Sequence, residues 1–323
     1  MEDGSIVLIS KGRGFKVYKG ILAAQSPVFR DMFASSSPET EAIDNCPVVH
    51  VSDSAEDLRH FLGAITPITQ PMYVPTNCGF EEGTLAYYRS TTVRLHRAEG
   101  DPKIPAATIF AIARLAHKYQ ADELQRQALS CIQEYYAICY DVWENKGQQG
   151  NVPFETSDMP RYAIEAVAIA RLTNTPSILP LAFYDCCRLG GKVLEGWRHE
   201  DGSISRLADE DLERCLDGTR ELACHAAKAT TLSFSPEPVC QSYCNSQTRI
   251  RLLLLELLSL SRWLHAPLHA CTDLFAELAH ARSVCAHCQK TLEGRVKEQR
   301  RMIWPRLPSI FHLEADISNW GSG

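Results

Sequence analysis

The chain has 323 residues, 45% hydrophobic and 22% charged, so it can bury a sizeable core and need not be disordered. Its 33 basic and 39 acidic side chains leave a formal charge of -6, which argues against wholesale binding to nucleic-acid backbones or anionic membranes. At roughly 100–200 residues per domain, the length predicts two domains.

Met1, Glu2, Asp3 and Gly4 open the chain with no basic region ahead of an apolar run, so no secretory signal is expected. The longest apolar stretch, around residues 252–264, is interrupted by Glu256 and Arg262 before it reaches the ~20 residues a membrane span requires. No Asn opens a glycosylation sequon, and the 13 cysteines are an odd number spread over a long chain. These features predict a cytoplasmic or nuclear protein whose cysteines are thiols or metal ligands.

Residues 6–9 are rich in β-branched side chains, Lys11, Gly12, Arg13 and Gly14 supply turn chemistry, and residues 15–18 alternate, a pattern that predicts a hairpin. Ser26 and Pro27 place a capping hydroxyl and an N1 proline ahead of Phe29, Met32 and Phe33, which share one helical face. Residues 48–51 read as a third strand. Asp53 or Ser54 can cap a helix carrying Leu58, Phe61, Leu62 and Ile65.

Across residues 66–105 the periodicity fails, with Pro67, Pro71, Pro75, Pro102 and Pro105 among scattered aromatics. So long a loop within one domain is usually functional, although a short strand can be hidden in it. The 3.6-residue period resumes at Ile109, Ile112, Ala113, Ala116 and Tyr119, continues through residues 124–136, and stops at the polar, Gly-containing stretch 146–151, which marks a domain boundary. Beyond it helices dominate: one with Ile164, Val167, Ala168 and Leu172, one begun by Thr175 and Pro176, and one with Leu212, Cys215 and Leu216 closed by Gly218.

The run FKVYKGILAAQSPVFRDMF at residues 15–33 resembles the first helical hairpin of the BTB/POZ domain. Residues 48–65 resemble that family's strand and following helix, and ARLAHKYQADEL at residues 113–124 its closing helices. The remainder, through LPLAFYDCC at 179–187 and WPRLPSIF at 304–311, is similar to the helical tail of expanded fungal BTB families. The resemblance implies an α+β fold: residues 1–136 form an interaction domain, a small sheet flanked by helices with the proline-rich loop 66–105; residues 137–151 form a linker; and residues 152–323 form an all-α module.

It further implies a non-enzymatic adaptor with protein partners, self-association, and recruitment of cullin-type ubiquitin ligases. The family's dimer-swap element precedes the first strand, where only Met1–Gly4 stand here, so a swapped homodimer is not expected. Cullin-binding members often carry an apolar residue two positions before a Glu, whereas Glu39 and Glu41 follow Ser37 and Glu39 at that spacing. The partner-binding residues expected are Phe29, Met32 and Phe33, with the loop, since loops on rigid scaffolds carry recognition. The competing reading of the three is that they fill the core.

Cys240 and Cys244 with Cys285 and Cys288 have the short spacings of a structural zinc site, which takes four thiolates at about 2.3 Å. Between the pairs lie helical segments near residues 247–264 and 270–283, about 27 and 21 Å long, whose antiparallel return would bring the sulfurs together. The competing reading is that buried cysteine is a small packing hydrophobe. His287 is a substitute ligand. His265 and His269 have metal-pair spacing with Pro267 between them, and Cys186 and Cys187 read as core.

No phosphate loop, nucleophile elbow or dinucleotide fingerprint occurs in the sequence, and 39 carboxylates offer no basis for choosing an acid/base pair. Arg295, Lys297, Arg300, Arg301 and Arg306 make the tail locally basic, which supports an alternative reading as a transcriptional regulator contacting DNA through a zinc-stabilised tail. A solvated helix face is the commoner meaning of such a run, with Trp304 and Phe311 docking the tail onto the body.

Overall fold

In the computed structural model, Lys11 and Gly12 have φ values of 44° and 80°, the pair of left-handed residues that a tight two-residue hairpin turn requires. They join β1 (Ser5–Ser10) to β2 (Arg13–Tyr18) in antiparallel register, with Ile6 opposite Val17 and Leu8 opposite Phe15. The hairpin leads into α1 (Lys19–Gln25) and α2 (Pro27–Ala34). A second tight turn, with Asp44 at φ 48° and Asn45 at φ 58°, pairs β3 (Ala42–Ile43) with β4 (Cys46–His50).

The structure describes residues 5–35, 41–65, 72–74, 95, 103–149, 154, 159–199, 201–235, 246–269 and 272–321. Its contacts divide the chain into unit 1 (Met1–Tyr135, Gly150–Thr173 and Arg198–Ser205) and unit 2 (Tyr136–Gln149, Asn174–Trp197 and Arg206–Gly323). The fold is α+β, with a small sheet flanked by helices followed by a mostly helical region.

In unit 1 the strand order is β3-β4-β1-β2-β5, where β5 (Met72–Val74) is a short strand inside the proline-rich span. β1 runs parallel to β4, with Val7 opposite Val48. Because it is central and covered on both faces, its residues 6–9 are buried as a continuous apolar run rather than in alternation. Val7 and Ile9 join Cys46 and Val48 on one face; by the two-residue period Ile6 and Leu8 point to the other, with Val17 and Phe15.

Helix α3 (Ala55–Ile65) is capped by Ser54, whose Oγ accepts from the Asp57 amide at 3.0 Å. Helix α4 (Ala106–Lys118) lies against α3 and against α5 (Asp122–Tyr135). Gln120, at φ 52°, closes α4 in the left-handed conformation, so the Ala121 amide can return to the Ala116 carbonyl at 2.8 Å. Residues 140–149 form α6 (Tyr140–Gln149), within unit 2, and α7 (Ala163–Leu172) packs on α4 in unit 1.

Unit 2 is built on α9 (Asp209–Ser233), a 25-residue helix in contact with α8 (Leu179–Arg188), α10 (Ser246–Ser259), α11 (Ser261–His265), α13 (Ala286–Arg301) and α14 (Leu307–Ile310); α12 (Thr272–Ala281) packs on α13. Gly218 therefore does not close a helix, as the sequence suggested: α9 continues fifteen residues past it. The glycine is there for space. A Cβ at this position would meet Cε1 of Phe311 at 2.3 Å, so only a hydrogen lets that ring seat on the helix. Leu216, expected on the buried face, is 58% exposed.

The segment near residues 247–264 is likewise two helices, because Leu260 is extended (φ -90°, ψ 110°). On one continuous helix Leu257 and Trp263 would point about 120° apart. The break lets both bury in the same cluster with Phe234, Phe275 and Leu292, and the Trp263 indole N–H donates to Thr230 Oγ1 at 2.8 Å.

Candidate interaction surface

Ser26 organises the helical end of unit 1. Its Oγ accepts from the Phe29 amide at 3.1 Å, capping α2, and donates to the Tyr119 carbonyl at 2.5 Å. Phe29 then stacks on Tyr119 with centroids 4.2 Å apart and planes 18° from parallel, with Phe33 and Phe61 completing the cluster at 5.7 and 6.4 Å. The Tyr119 hydroxyl donates to Asp53, whose other oxygen accepts from Lys118 Nζ at 2.6 Å. Burial, then Asp53, pushes the phenol well above its ordinary pKa, so the donor keeps its proton. Asp53 thus ties α4 down, and capping α3 falls to Ser54.

Of the three residues expected to bind a partner, Phe29 is 0% and Phe33 4% exposed, while Met32 is half-buried. The period that groups them on one face places the two rings inward and leaves the thioether at the edge. Lys19 Nζ lies 5.7 Å from the Phe33 ring centroid, which sets the start of α1 beside the end of α2. The shoulder so formed presents Tyr18, 40% exposed, half-buried Val28 and Met32, and exposed Arg30 and Asp31, whose side chains lie 3.7 Å apart. It is an accessible, weakly charged surface on helices held from behind. Ser26→Ala removes the cap and leaves the buried Tyr119 carbonyl without its donor, and is expected to destabilise unit 1 by about 2 kcal/mol. Urea unfolding followed by tyrosine near-ultraviolet signals measures it; an unchanged midpoint contradicts the role given to Ser26.

A second constellation in unit 1 was not legible in the sequence. Arg114 donates to Glu165 and, at 3.0 Å, to Asp57, and His199 Nε2 stands 3.3 Å from Glu165 Oε1 and 2.7 Å from Ser205 Oγ. At 3.3 Å the His199–Glu165 contact is an ion pair rather than a well-aligned hydrogen bond, since no donor is aimed at that buried oxygen. Glu165 is 2% exposed; burial alone would raise its pKa, but His199 and Arg114 bring it below the ordinary carboxylate value. His199 is raised in turn, first by Glu165. Asp201 meets Lys11 at 2.6 Å, so these pairs fasten the short segment 198–205 to the body of unit 1. Arg114 is 51 and 57 positions from its two carboxylates, and no spacing rule reaches that far.

The expected metal ligands are only partly placed. Cys285 precedes α13 as its N-cap residue and Cys288 is buried in the hydrophobic cluster; Cys240 and Cys244 lie outside the described residues. Among the described residues no group of three or more His, Cys, Asp or Glu side chains is arranged to hold a metal. His287 and His265 are exposed. His269 stacks on Tyr184 at 5.6 Å, and the Tyr184 hydroxyl, which accepts from the Leu268 and His269 amides, is 2.9 Å from Nδ1. Cys186 and Cys187 are buried, and burial pushes the Cys186 thiol up, the opposite of an activated nucleophile.

The basic tail is engaged within unit 2. Arg300 is buried against backbone carbonyls, Arg301 pairs with Asp141 at 2.7 Å and Lys297 with Glu144 at 3.2 Å. Trp304 is 2% and Phe311 0% exposed; the Trp304 indole donates to the Ile138 carbonyl at 3.0 Å and the Phe311 ring lies 5.6 Å from Phe183. No described helix is long and apolar enough to cross a membrane.

No curated protein and no solved structure matches the chain significantly. The two paired extended segments leading into a helix pair, with a parallel third strand and a capped helix behind them, agree with the family comparison: residues 4–65 of this chain match the family model of the BTB/POZ domain.

Proposed function

We propose that the chain is a non-enzymatic adaptor, resident in the cytoplasm or nucleus, that grips a cullin-type scaffold through the shoulder of α1 and α2. The coarser role rests on the domain itself, because BTB domains are typically protein-interaction modules without catalytic activity. The observation that carries the finer reading is the contrast between Phe29 and Phe33, buried, and Met32 with Tyr18, accessible on elements that Ser26 and Tyr119 hold rigid. A preorganised apolar contact loses little entropy on binding, and Met adapts to the shape of its partner. Cys46, Cys131, Cys186, Cys187 and Cys215 are thiols, as suits a reducing compartment.

The test is retention of a purified cullin scaffold by the intact chain, with an established BTB adaptor as positive control. Wild type is expected to retain it, and Met32→Asp combined with Tyr18→Ala to weaken retention at least about tenfold, the effect of losing a central contact. Melting curves of the variant should match wild type, since neither side chain belongs to the core. An empty wild-type pull-down beside a working control ends the cullin role and leaves the domain assignment untouched. Light scattering on the same preparation counts subunits.

A further inference from the structure

Within unit 2 the three cations of one stretch of α13 meet different fates. Lys297 has Glu144 and Arg301 has Asp141, both carboxylates. Arg300, the most buried of the three at 8% exposure, has only neutral acceptors: Nε donates to the Pro267 carbonyl at 2.8 Å and Nη2 to the Leu268 carbonyl. Among the described residues no carboxylate pairs with it. A guanidinium offers five N–H donors, and two carbonyls compensate neither all of them nor the buried charge. An ion taken from water without a counter-charge is among the costliest arrangements a fold can hold.

Beside this side chain lies a cavity of about 20 Å³, walled mainly by Ala226, Ala229, Trp263, Pro267, Val296 and Ile303. That is room for a small occupant, since a single water fills about 10–15 Å³. The hydroxyls in the wall are already committed. Thr230 donates to the Ala226 carbonyl at 2.7 Å while accepting from the Trp263 indole, and Ser233 donates to the Ala229 carbonyl at 2.7 Å. Arg300 is the wall's permanently charged donor, beside His269, whose Nδ1 faces the Tyr184 hydroxyl at 2.9 Å, and a water placed there would supply a hydrogen bond but no charge.

We propose that this cavity is a binding site for a monovalent anion of halide size, which supplies Arg300 with the counter-charge that no described carboxylate gives it. The site belongs to the helical unit and is independent of the adaptor surface on unit 1. An anion there would also tie α13 to the Ala266–Leu268 turn and to α9, whose residues share the wall.

The experiment uses the intact chain in sodium gluconate, whose anion is too large for the cavity, with chloride or bromide titrated in at constant ionic strength. Tryptophan fluorescence follows unit 2, which contains all five tryptophans, Trp263 in the wall among them. Chloride and bromide are expected to raise the melting temperature saturably, by about 2–4 °C at roughly five times the dissociation constant, and to broaden the chlorine-35 resonance. Arg300→Gln should lose both responses. Because that change also strips the two carbonyls of their donor and can unfold the unit, Ala229→Leu, which fills the cavity and keeps Arg300, is the second variant; it should fold and show neither response. Equal melting in chloride and gluconate with an unbroadened resonance would overturn the proposal, as would a response that survives both substitutions.

Discussion

Phe311→Ala is expected to cost unit 2 about 3–5 kcal/mol, the range for emptying a buried aromatic site. The ring is fully buried, 5.6 Å from Phe183 and pressed onto the backbone of α9 at Gly218. Gly218→Ala separates the two effects that meet at this point. In an exposed helix interior the exchange stabilises by about 1 kcal/mol. Here the new methyl would stand 2.3 Å from Cε1 of Phe311, and moving a packed ring typically costs about 1–3 kcal/mol, so net destabilisation is expected. The pair is coupled: in the Phe311→Ala background the ring is gone, and Gly218→Ala should change sign and stabilise. A double-mutant cycle by urea unfolding, read through tryptophan fluorescence, gives the interaction energy. Additive effects would mean that the helix and the ring do not meet as described.

Lowering the pH from about 6.5 to about 4 is expected to remove about 3 kcal/mol from unit 1 through His60 alone. The ring is mostly buried, and burial, then the Arg59 guanidinium, lowers its pKa from 6.5 to about 4. Arg59 Nη2 lies 3.3 Å from Nε2, and Thr108 Oγ1 lies 3.1 Å from Nδ1. The arrangement suits a neutral ring that accepts at Nε2. Glu56 Oε1 at 3.5 Å and Asp57 favour the charged form without prevailing.

A histidine whose folded pKa lies below its unfolded value binds its proton first in the unfolded chain, so stability falls as pH drops from 6.5 to the folded value. His199 has the reverse sign. Raised first by Glu165, it contributes stability that is complete below the unfolded value of 6.5 and is lost as pH rises through its folded pKa. Glu56 and Glu165, both lowered, hold their contributions until pH falls below the ordinary carboxylate value of 4.5. The window between 6.5 and 4.5 therefore isolates His60. Urea midpoints of unit 1 should fall across it in wild type and stay nearly level in His60→Gln. A wild-type midpoint that does not move, or a variant that keeps the slope, contradicts this account of His60.

Much of the sheet-bearing end was legible because its signals are local. A two-residue turn at Lys11 and Gly12, a Ser-Pro helix start at residues 26–27 and the period through residues 109–136 each operate over a few positions, and each element stands where those signals put it. The short strand Met72–Val74 was legible only as something a long proline-rich span can conceal, because three residues are too few to show a period. Capping of α3 was open between Asp53 and Ser54, and it closed on Ser54 only because Lys118 and Tyr119, some sixty-five positions away, claim Asp53.

The sequence by itself determined the α+β class, the hairpin leading into paired helices, the helical remainder and the docking of Trp304 and Phe311 into the body. Tertiary structure alone decided that Gly218 is a seat for a ring rather than a helix stop, that Met32 stands half-buried at the edge while Phe29 and Phe33 face in, that Arg300 is buried with no carboxylate among the described residues, and that Glu165 gathers Arg114 and His199. The reason is the reach of each interaction. Backbone dihedrals and capping are settled within about one turn of chain. Steric clearance, charge pairing and desolvation act through space between residues whose separation in the chain carries no signal.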